Sequence, residues 1–310
     1  MLTGLQVAFL GGDARHLEII RTCTDLDAMV VLIGFEFIHD QLKGVSHSKL
    51  TEEIFRKVDV LILPVVGTDD HGSVESSYSN ETLVLNEAYI GSLPKHAKVY
   101  TGIAKPYLKK LCANHGIDLV ELFSRDDVAV YNSIPTAEGA LMMAIQNTDI
   151  TLHGSRCMVL GLGRTGLTLA GMLQRLGAQV KVGVQKPDQF ARASEMGIQP
   201  FYTKDLYDEV VNMDIIFNTV PDHILTAHVI TRIPHRAIII DLASKPGGTD
   251  FRFAEKRGIK ALLAPSLPGL VAPRTAGRIL ANTLCQLIQE KRSRNKEQDT
   301  ERMFPCIPAI

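Results

Sequence analysis

The sequence predicts an α/β protein of two doubly wound, parallel-sheet domains with a cleft between them. Three observations predict it. Short apolar runs alternate with amphipathic helical patterns along the chain, as expected of parallel sheets covered on both faces. One such run, Cys157-Met158-Val159-Leu160, leads directly into Gly161-x-Gly163-x-x-Gly166 and a helical stripe of Leu169, Leu173 and Leu176. At 310 residues the chain is also long for one core, so two domains of about 130–150 residues are expected.

The first domain is expected over 1–132. Its strands are Gln6–Leu10, Met29–Gly34, Val60–Pro64, Lys98–Gly102 and Asp118–Leu122. Asp13–Thr24 is a helix with Leu17, Ile20 and Cys23 on its inner face, Thr51-Glu52-Glu53-Ile54 starts a short one, and Lys105–His115 is another. Ligands of such sheets lie beyond the carboxyl ends of the strands. The loops at 11–15, 65–71 and 102–105 are therefore the ones to follow.

A hinge helix is expected over 133–152, with Pro135 in its first turn and Ala137, Leu141, Ala144 and Ile145 continuing it. The second domain, 153–290, has strands Cys157–Leu160, Val180–Val184, Ile215–Thr219, Ala237–Asp241 and Lys260–Ala264, with helices between the first three. Thr275–Glu290 is a closing helix expected to pack back on the hinge. The mixed-charge stretch 291–310 lacks an apolar stripe and is expected to be a solvated, disordered tail.

The glycine spacing carries the chemistry. Gly161 permits the tight turn, Gly163 lets backbone N–H groups approach a diphosphate, and Gly166 lets the helix pack close to the strand. The anion would sit at the helix N-terminus, where the first N–H groups have no internal partner. Gly161, Leu162, Gly163, Arg164, Thr165 and Gly166 are thus the cofactor-binding core of a Rossmann NAD(P) domain. The alternative is a glycine turn used only for packing. Cofactor choice turns on the end of the second strand, where an NAD site places Asp or Glu. Here Gln185 and Lys186 follow Val184, and Arg192 comes soon after. The missing acid and the two cations favour NADP over NAD, although the cations could equally be a solvated helix start. Thr219, Val220 and Pro221 end the third strand and Ala243 follows the fourth, where the nicotinamide should lie.

Composition excludes several functions. A net charge of −1 offers no surface for nucleic acid or acidic lipid. No run approaches the length of a membrane helix, and no signal peptide is evident before Gly11-Gly12-Asp13. The five cysteines form no CxxC pair, so buried reduced thiols and a cytoplasmic location are expected. Asp69-Asp70-His71 is metal-like in type, but adjacent residues rarely converge on one ion, so no metal is expected.

Five motifs in order, GGDAR at 11–15, SIPTAEGA at 133–140, GLGRTG at 161–166, DLASKPGGTDF at 241–251 and LPGLVAPRTAG at 267–277, resemble the dipicolinate synthase A-subunit family almost throughout the chain. The second domain alone is similar to shikimate, alanine and 2-hydroxyacid dehydrogenases. The spacing of Asp241, Pro246 and Thr249 echoes shikimate dehydrogenases, but no Lys–Asp pair of that type is identifiable. The A-subunit resemblance implies an oxidoreductase of sporulating bacteria. It would convert 4-hydroxy-tetrahydrodipicolinate, a lysine-pathway intermediate, to dipicolinate by loss of water and hydride transfer. It also implies a partner, the flavoprotein B subunit, while a homo-oligomer is expected besides.

A dicarboxylate needs cations, and Arg15, Lys105, Lys245 and Arg274 are the candidates, with structural ion pairs as the alternative. Ser133 and Thr136 are further substrate-binding candidates, and Glu138 and Lys245 the catalytic ones. Helix capping is the alternative for the cluster at 133–138. Asp13 reads as a cap rather than a base. Two other readings stay open: a different two-domain dehydrogenase of a small carboxylate, and a non-catalytic nucleotide-binding scaffold for a flavoprotein.

Overall fold

A computed structural model describes residues 1–38 and 42–303, the side chains of 291–303 excepted. The chain divides into two compact units, Met1–Val128 with Pro273–Ile310, and Ala129–Ala272.

The first unit contains β1 (Gln6–Leu10), α1 (Ala14–Asp25), β2 (Met29–Ile33), β3 (Val45–His47), α2 (Glu52–Phe55) and β4 (Val60–Ile62). A small antiparallel pair, β5 (Ser73–Val74) and β6 (Leu83–Val84), comes next, then α3 (Glu87–Ser92), β7 (Lys98–Thr101), α4 (Pro106–His115) and β8 (Asp118–Glu121). Six strands form a parallel sheet in the order β3-β2-β1-β4-β7-β8. Strand alternation sends Val7 and Phe9 into the core on one face and Ala8 and Leu10 into the core on the other.

The second unit receives α5 (Asp126–Asn147), which starts in the first. Its strands are β9 (Arg156–Leu160), β10 (Gln179–Val184), β11 (Gln199–Tyr202), β12 (Ile215–Asn218), β13 (Ile238–Asp241) and β14 (Lys260–Leu263). Their helices are α6 (Arg164–Arg175), α7 (Pro187–Glu195), α8 (Leu206–Glu209), α9 (Ala227–Ile230), α10 (Phe251–Lys256) and α11 (Leu267–Val271). The parallel order β11-β10-β9-β12-β13-β14 repeats that of the first sheet. Both units therefore have the doubly wound α/β plan.

Three placements differ from expectation. Pro135 lies inside α5, not in its first turn, because the helix already starts at Asp126, beside an Arg125–Asp127 ion pair. A proline there removes one helical N–H donor. Nearby, the Ser133 hydroxyl donates to the Val130 carbonyl at 2.6 Å and that of Thr136 to Asn132 at 2.8 Å. The last helix, α12 (Pro273–Met303), belongs to the first unit rather than to a 153–290 domain. Its Leu280, Ala281, Leu284, Cys285 and Ile288 share a core with Ile19, Ile20 and Cys23 of α1. The apolar stripe is visible in the sequence, but its partner is not. Finally, helix α12 continues to Met303 through the stretch expected to be a tail, of which residues 304–310 lie outside the described residues. Cys23, Cys112, Cys157 and Cys285 are buried free thiols, and Cys306 lies outside the described residues.

Candidate functional site

The glycine turn of the second unit is built around two steric demands. Gly161 has φ +92°, a conformation that glycine adopts without cost, and a Cβ there would meet Thr219 Oγ1 at 2.6 Å. At Gly166 a Cβ would overlap the Gly161 carbonyl oxygen, so only glycine lets α6 start this close to β9. Thr219 ties β12 to the turn, its hydroxyl donating to the Leu160 carbonyl at 2.7 Å. Gly163 is different. It is the N-cap of α6, no side chain caps that end, and nothing lies within 4 Å of where its Cβ would be. Among the described residues the first turn of α6, with the N–H groups of Thr165 and Gly166, thus begins at a helix N-terminus that no cap side chain occupies. A dinucleotide diphosphate fits that cradle in charge and in space.

The equivalent turn of the first unit is closed. Asp13 is the N-cap of α1, its Oδ1 accepts the Arg15 N–H at 2.9 Å, and the His16 ring Nδ1 accepts the Asp13 N–H at 3.1 Å. The 75–77 segment then covers the turn: Gly12 N–H donates to the Glu75 carbonyl at 3.0 Å, and Ser77 N–H to the Gly12 carbonyl at 2.8 Å. Burial works against ionisation of Asp13, but the adjacent His16 ring and the hydrogen bonds from Arg15 prevail and hold its carboxyl well below the usual carboxylate range. A negative charge therefore sits where a phosphate would have to go. The two sheets share one topology, and only the second offers an open anion site at its first helix.

Beyond β12 and β13 a buried network shapes the next loops. Asn218 and Asp241 are fully buried neighbours at the ends of their strands. Asp241 Oδ2 accepts from Asn218 Nδ2 (3.1 Å), Gly248 N–H (2.9 Å) and the Thr249 hydroxyl (2.6 Å), and Oδ1 accepts from Ala243 N–H at 3.0 Å. Asn218 in turn bonds both ways with the Val220 backbone at 3.0 Å. Thr219, Val220 and Pro221 thus follow a fixed strand end, and Ala243 is held by the same carboxylate. Asp241 and Thr249 of the shikimate-like spacing belong to this frame.

The cationic candidates are placed very differently. The Arg15 guanidinium is engaged by Asp13, with Nε 3.0 Å from both carboxylate oxygens. Arg274 lies beside the buried Glu18 of α1 at 3.6 Å, together with Arg278 at 3.4 Å and Arg21 at 2.5 Å. Lys105 is the N-cap residue of α4, half-buried, and Lys245 is exposed. Among the described residues neither has an acidic partner. Ser133 is buried, and its hydroxyl bonds Thr168 Oγ1 of α6 at 2.7 Å, so it joins two helices. Thr136 bonds within α5, and Glu138 is exposed on the same helix.

Gln185, Lys186 and Arg192 are all exposed; Lys186 is the N-cap residue of α7, and Arg192 lies farther along that helix. A pocket of about 450 Å³ opens at this edge of the sheet, lined by Val184, Gln185, Tyr202, Thr203, Lys204 and Val220 among others. Tyr202 and Lys204 are not among the residues expected from sequence, because β11 is not. Asp69 Oδ1 accepts from the His71 and Ser73 N–H groups, both at 2.8 Å, as a polar turn. Among the described residues no His, Cys, Asp and Glu cluster suits a metal, and no helix is long and apolar enough to cross a membrane.

Fold and site together define the class, a two-unit α/β protein whose second half is a dehydrogenase-type nucleotide-binding domain. Residues 6–123 match the family model of the N-terminal domain of the dipicolinate synthase A subunit, and 128–304 that of the alanine dehydrogenase/PNT C-terminal domain. The dipicolinate synthase A subunit of Bacillus subtilis (strain 168) is 49% identical over 290 residues, covering 94% of this chain and 98% of that protein. A crystal structure of the dipicolinate synthase A subunit from Bacillus halodurans superposes with a TM-score of 0.90 at 50% identity, covering 93% of this chain and 98% of the other. The chain belongs to the dipicolinate synthase A-subunit family. A transhydrogenase from Sinorhizobium meliloti (TM-score 0.67, 15% identity, 92% of this chain and 94% of that one) shares the fold.

Proposed function

We propose that this chain is an NADP-dependent oxidoreductase subunit that forms dipicolinate from 4-hydroxy-tetrahydrodipicolinate. It would act with a flavoprotein-like partner subunit, in the cytoplasm of a sporulating cell and as a homo-oligomer. The observation that carries the reading is the uncapped N-terminus of α6 above Gly163, set against the capped one of α1.

The bound dinucleotide supplies a hydride acceptor. The chain's own residues do the rest. Gly161, Gly163 and Gly166 let the backbone from Leu162 to Thr165 receive the diphosphate. Thr219, Val220, Pro221 and Ala243 line the flat-ring end, on strand ends that Asn218 and Asp241 hold still. Loss of water, then removal of a hydride to the dinucleotide and of a proton to solvent, aromatises the substrate ring, so orientation is the protein's main task. Carboxylate recognition falls to Lys105 and Lys245, whose ammonium groups have no acidic partner among the described residues, ahead of Arg15 and Arg274, whose guanidiniums face Asp13 and Glu18. Glu138, exposed to water, can trade protons with solvent, as a dehydration needs.

The test is direct. Incubating the full chain with the lysine-pathway intermediate and NADP+ should give the ultraviolet band of dipicolinate, and omitting the dinucleotide should abolish it. Product that needs the partner but no added pyridine dinucleotide would make the chain a scaffold. Absence of NADP+ and NAD+ binding in calorimetry would overturn the reading altogether.

A further inference from the structure

We infer that Lys204, rather than Arg192, is the residue that selects a 2′-phosphorylated adenosine ribose in the second unit. The inference rests on the nucleotide reading above and specifies its adenosine end. In a sheet of this plan the residue just past the second strand stands beside the ribose 2′ position. That residue is Gln185, which can hydrogen-bond but brings no charge. The neighbouring strand supplies it. β11 pairs with β10 in the register Val184↔Tyr202, so Thr203 and Lys204 leave the sheet beside Gln185. All of these residues line the 450 Å³ pocket.

Three features set Lys204 apart. Among the described residues it is the one lysine or arginine lining the pocket, from which both Lys186 and Arg192 of the α7 segment are absent. Its Nζ sits 5.6 Å from the Tyr202 ring centroid, and that ring stacks on Phe190 of α7 at 4.9 Å. The cation–π contact holds the ammonium at the pocket wall instead of letting it sweep through solvent. Lys204 also lacks an acidic partner among the described residues, whereas Lys181 on β10 is neutralised by Glu209 at 2.6 Å. The acid lining the same pocket, Asp222, follows β12, which β9 and β10 separate from β11. A phosphomonoester dianion thus meets positive charge on the Gln185 side and is kept from the Asp222 side.

Binding, not turnover, tests this. Dissociation constants of the full-length chain are measured by calorimetry for NADP+, NAD+, 2′,5′-ADP and 5′-AMP, in wild type, Lys204→Ala, Lys204→Arg and Arg192→Ala. Lys204→Ala should weaken NADP+ and 2′,5′-ADP about tenfold or more, the scale of one charge-assisted hydrogen bond. NAD+ and 5′-AMP should stay within about twofold, with Lys204→Arg and Arg192→Ala both close to wild type. Equal losses for phosphorylated and unphosphorylated ligands, unchanged NADP+ binding in Lys204→Ala, or a tenfold loss in Arg192→Ala would overturn the role of Lys204 while leaving the nucleotide site standing. A wild-type chain that binds none of the four ligands would overturn both.

Discussion

Asn218 Nδ2 donates to Asp241 Oδ2 at 3.1 Å, and neither side chain is exposed to water. The pair joins the carboxyl ends of two adjacent parallel strands, Asn218 facing Asp241 in register. Each then reaches forward into its own loop, Asn218 to Val220 and Asp241 to Ala243, Gly248 and Thr249. One amide and one carboxylate thus fix both loops that follow the strands beside the glycine turn.

Asp241→Ala removes the acceptor of four donors at once. Buried donors left without partners cost about 1–3 kcal/mol each before relaxation, so a loss of at least about 3 kcal/mol is expected. Urea denaturation followed by circular dichroism measures it. A loss below about 1 kcal/mol would show that the loop does not depend on the carboxylate.

Gly166→Ala and Gly163→Ala should separate folding from binding. At Gly166 the new methyl overlaps the Gly161 carbonyl, so α6 must move away from β9. A loss of about 2 kcal/mol or more is expected, with the melting temperature as readout. At Gly163 the methyl enters open space at φ −77°. Stability should change by about 0.5 kcal/mol or less. Dinucleotide affinity should nevertheless fall at least tenfold, because the methyl stands where backbone and diphosphate must meet. Unchanged affinity in Gly163→Ala would place the diphosphate elsewhere.

Asp13 gives the first unit an acid-sensitive element. Its folded-state pKa is depressed below the ordinary aspartate value, so the unfolded chain binds the proton more readily. The stabilisation is therefore complete above the ordinary carboxylate value and is lost as the pH falls through and below about 4 toward the folded pKa. Asp13→Asn keeps a helix cap but cannot titrate. Its stability should consequently fall less steeply than that of wild type between about pH 5 and 2.5. Parallel curves for the two proteins would rule this out.

Gln185→Asp should invert dinucleotide preference. A carboxylate at the end of β10 accepts the ribose 2′-OH of NAD+ and repels a 2′-phosphate. NADP+ affinity is expected to drop about tenfold or more while that of NAD+ is kept or improved. Fluorescence titration with the two reduced dinucleotides distinguishes these outcomes, and a ratio equal to that of wild type would contradict the placement.

Ser133→Ala tests a hydroxyl that sequence alone offers as a substrate contact. In the structure it joins α5 to Thr168 of α6. Removing it should cost about 1 kcal/mol in thermal or urea denaturation. Dinucleotide affinity should remain within about twofold.

Much of the architecture is legible in the chain because its signals are local. β1, β2, β9, β12 and β13 each contain an unbroken apolar run of three to five residues, and the three glycines follow β9 without a gap. β3 is only three residues with a polar centre, and β11 carries Pro200, which an edge strand tolerates and a pattern search rejects. Missing β11 means missing Lys204, whose position depends on strand pairing rather than on any motif. Pro135 looks like a helix start because proline is favoured at the first helical position; the acidic turn at Asp126 and Asp127 is the better signal. For Arg15 and Arg274, the residue type announces an anion partner but cannot say that the partner is Asp13 or Glu18.

The return of α12 to the first unit has a temporal consequence. The hydrophobic layer that Ile19, Ile20 and Cys23 contribute is completed only by Leu280, Leu284 and Ile288. A ribosome has therefore delivered every strand of the second unit before the amino-terminal half can close its own interior. The unit that begins first is the one that finishes last, and α1 must wait with an uncovered greasy flank until α12 has emerged.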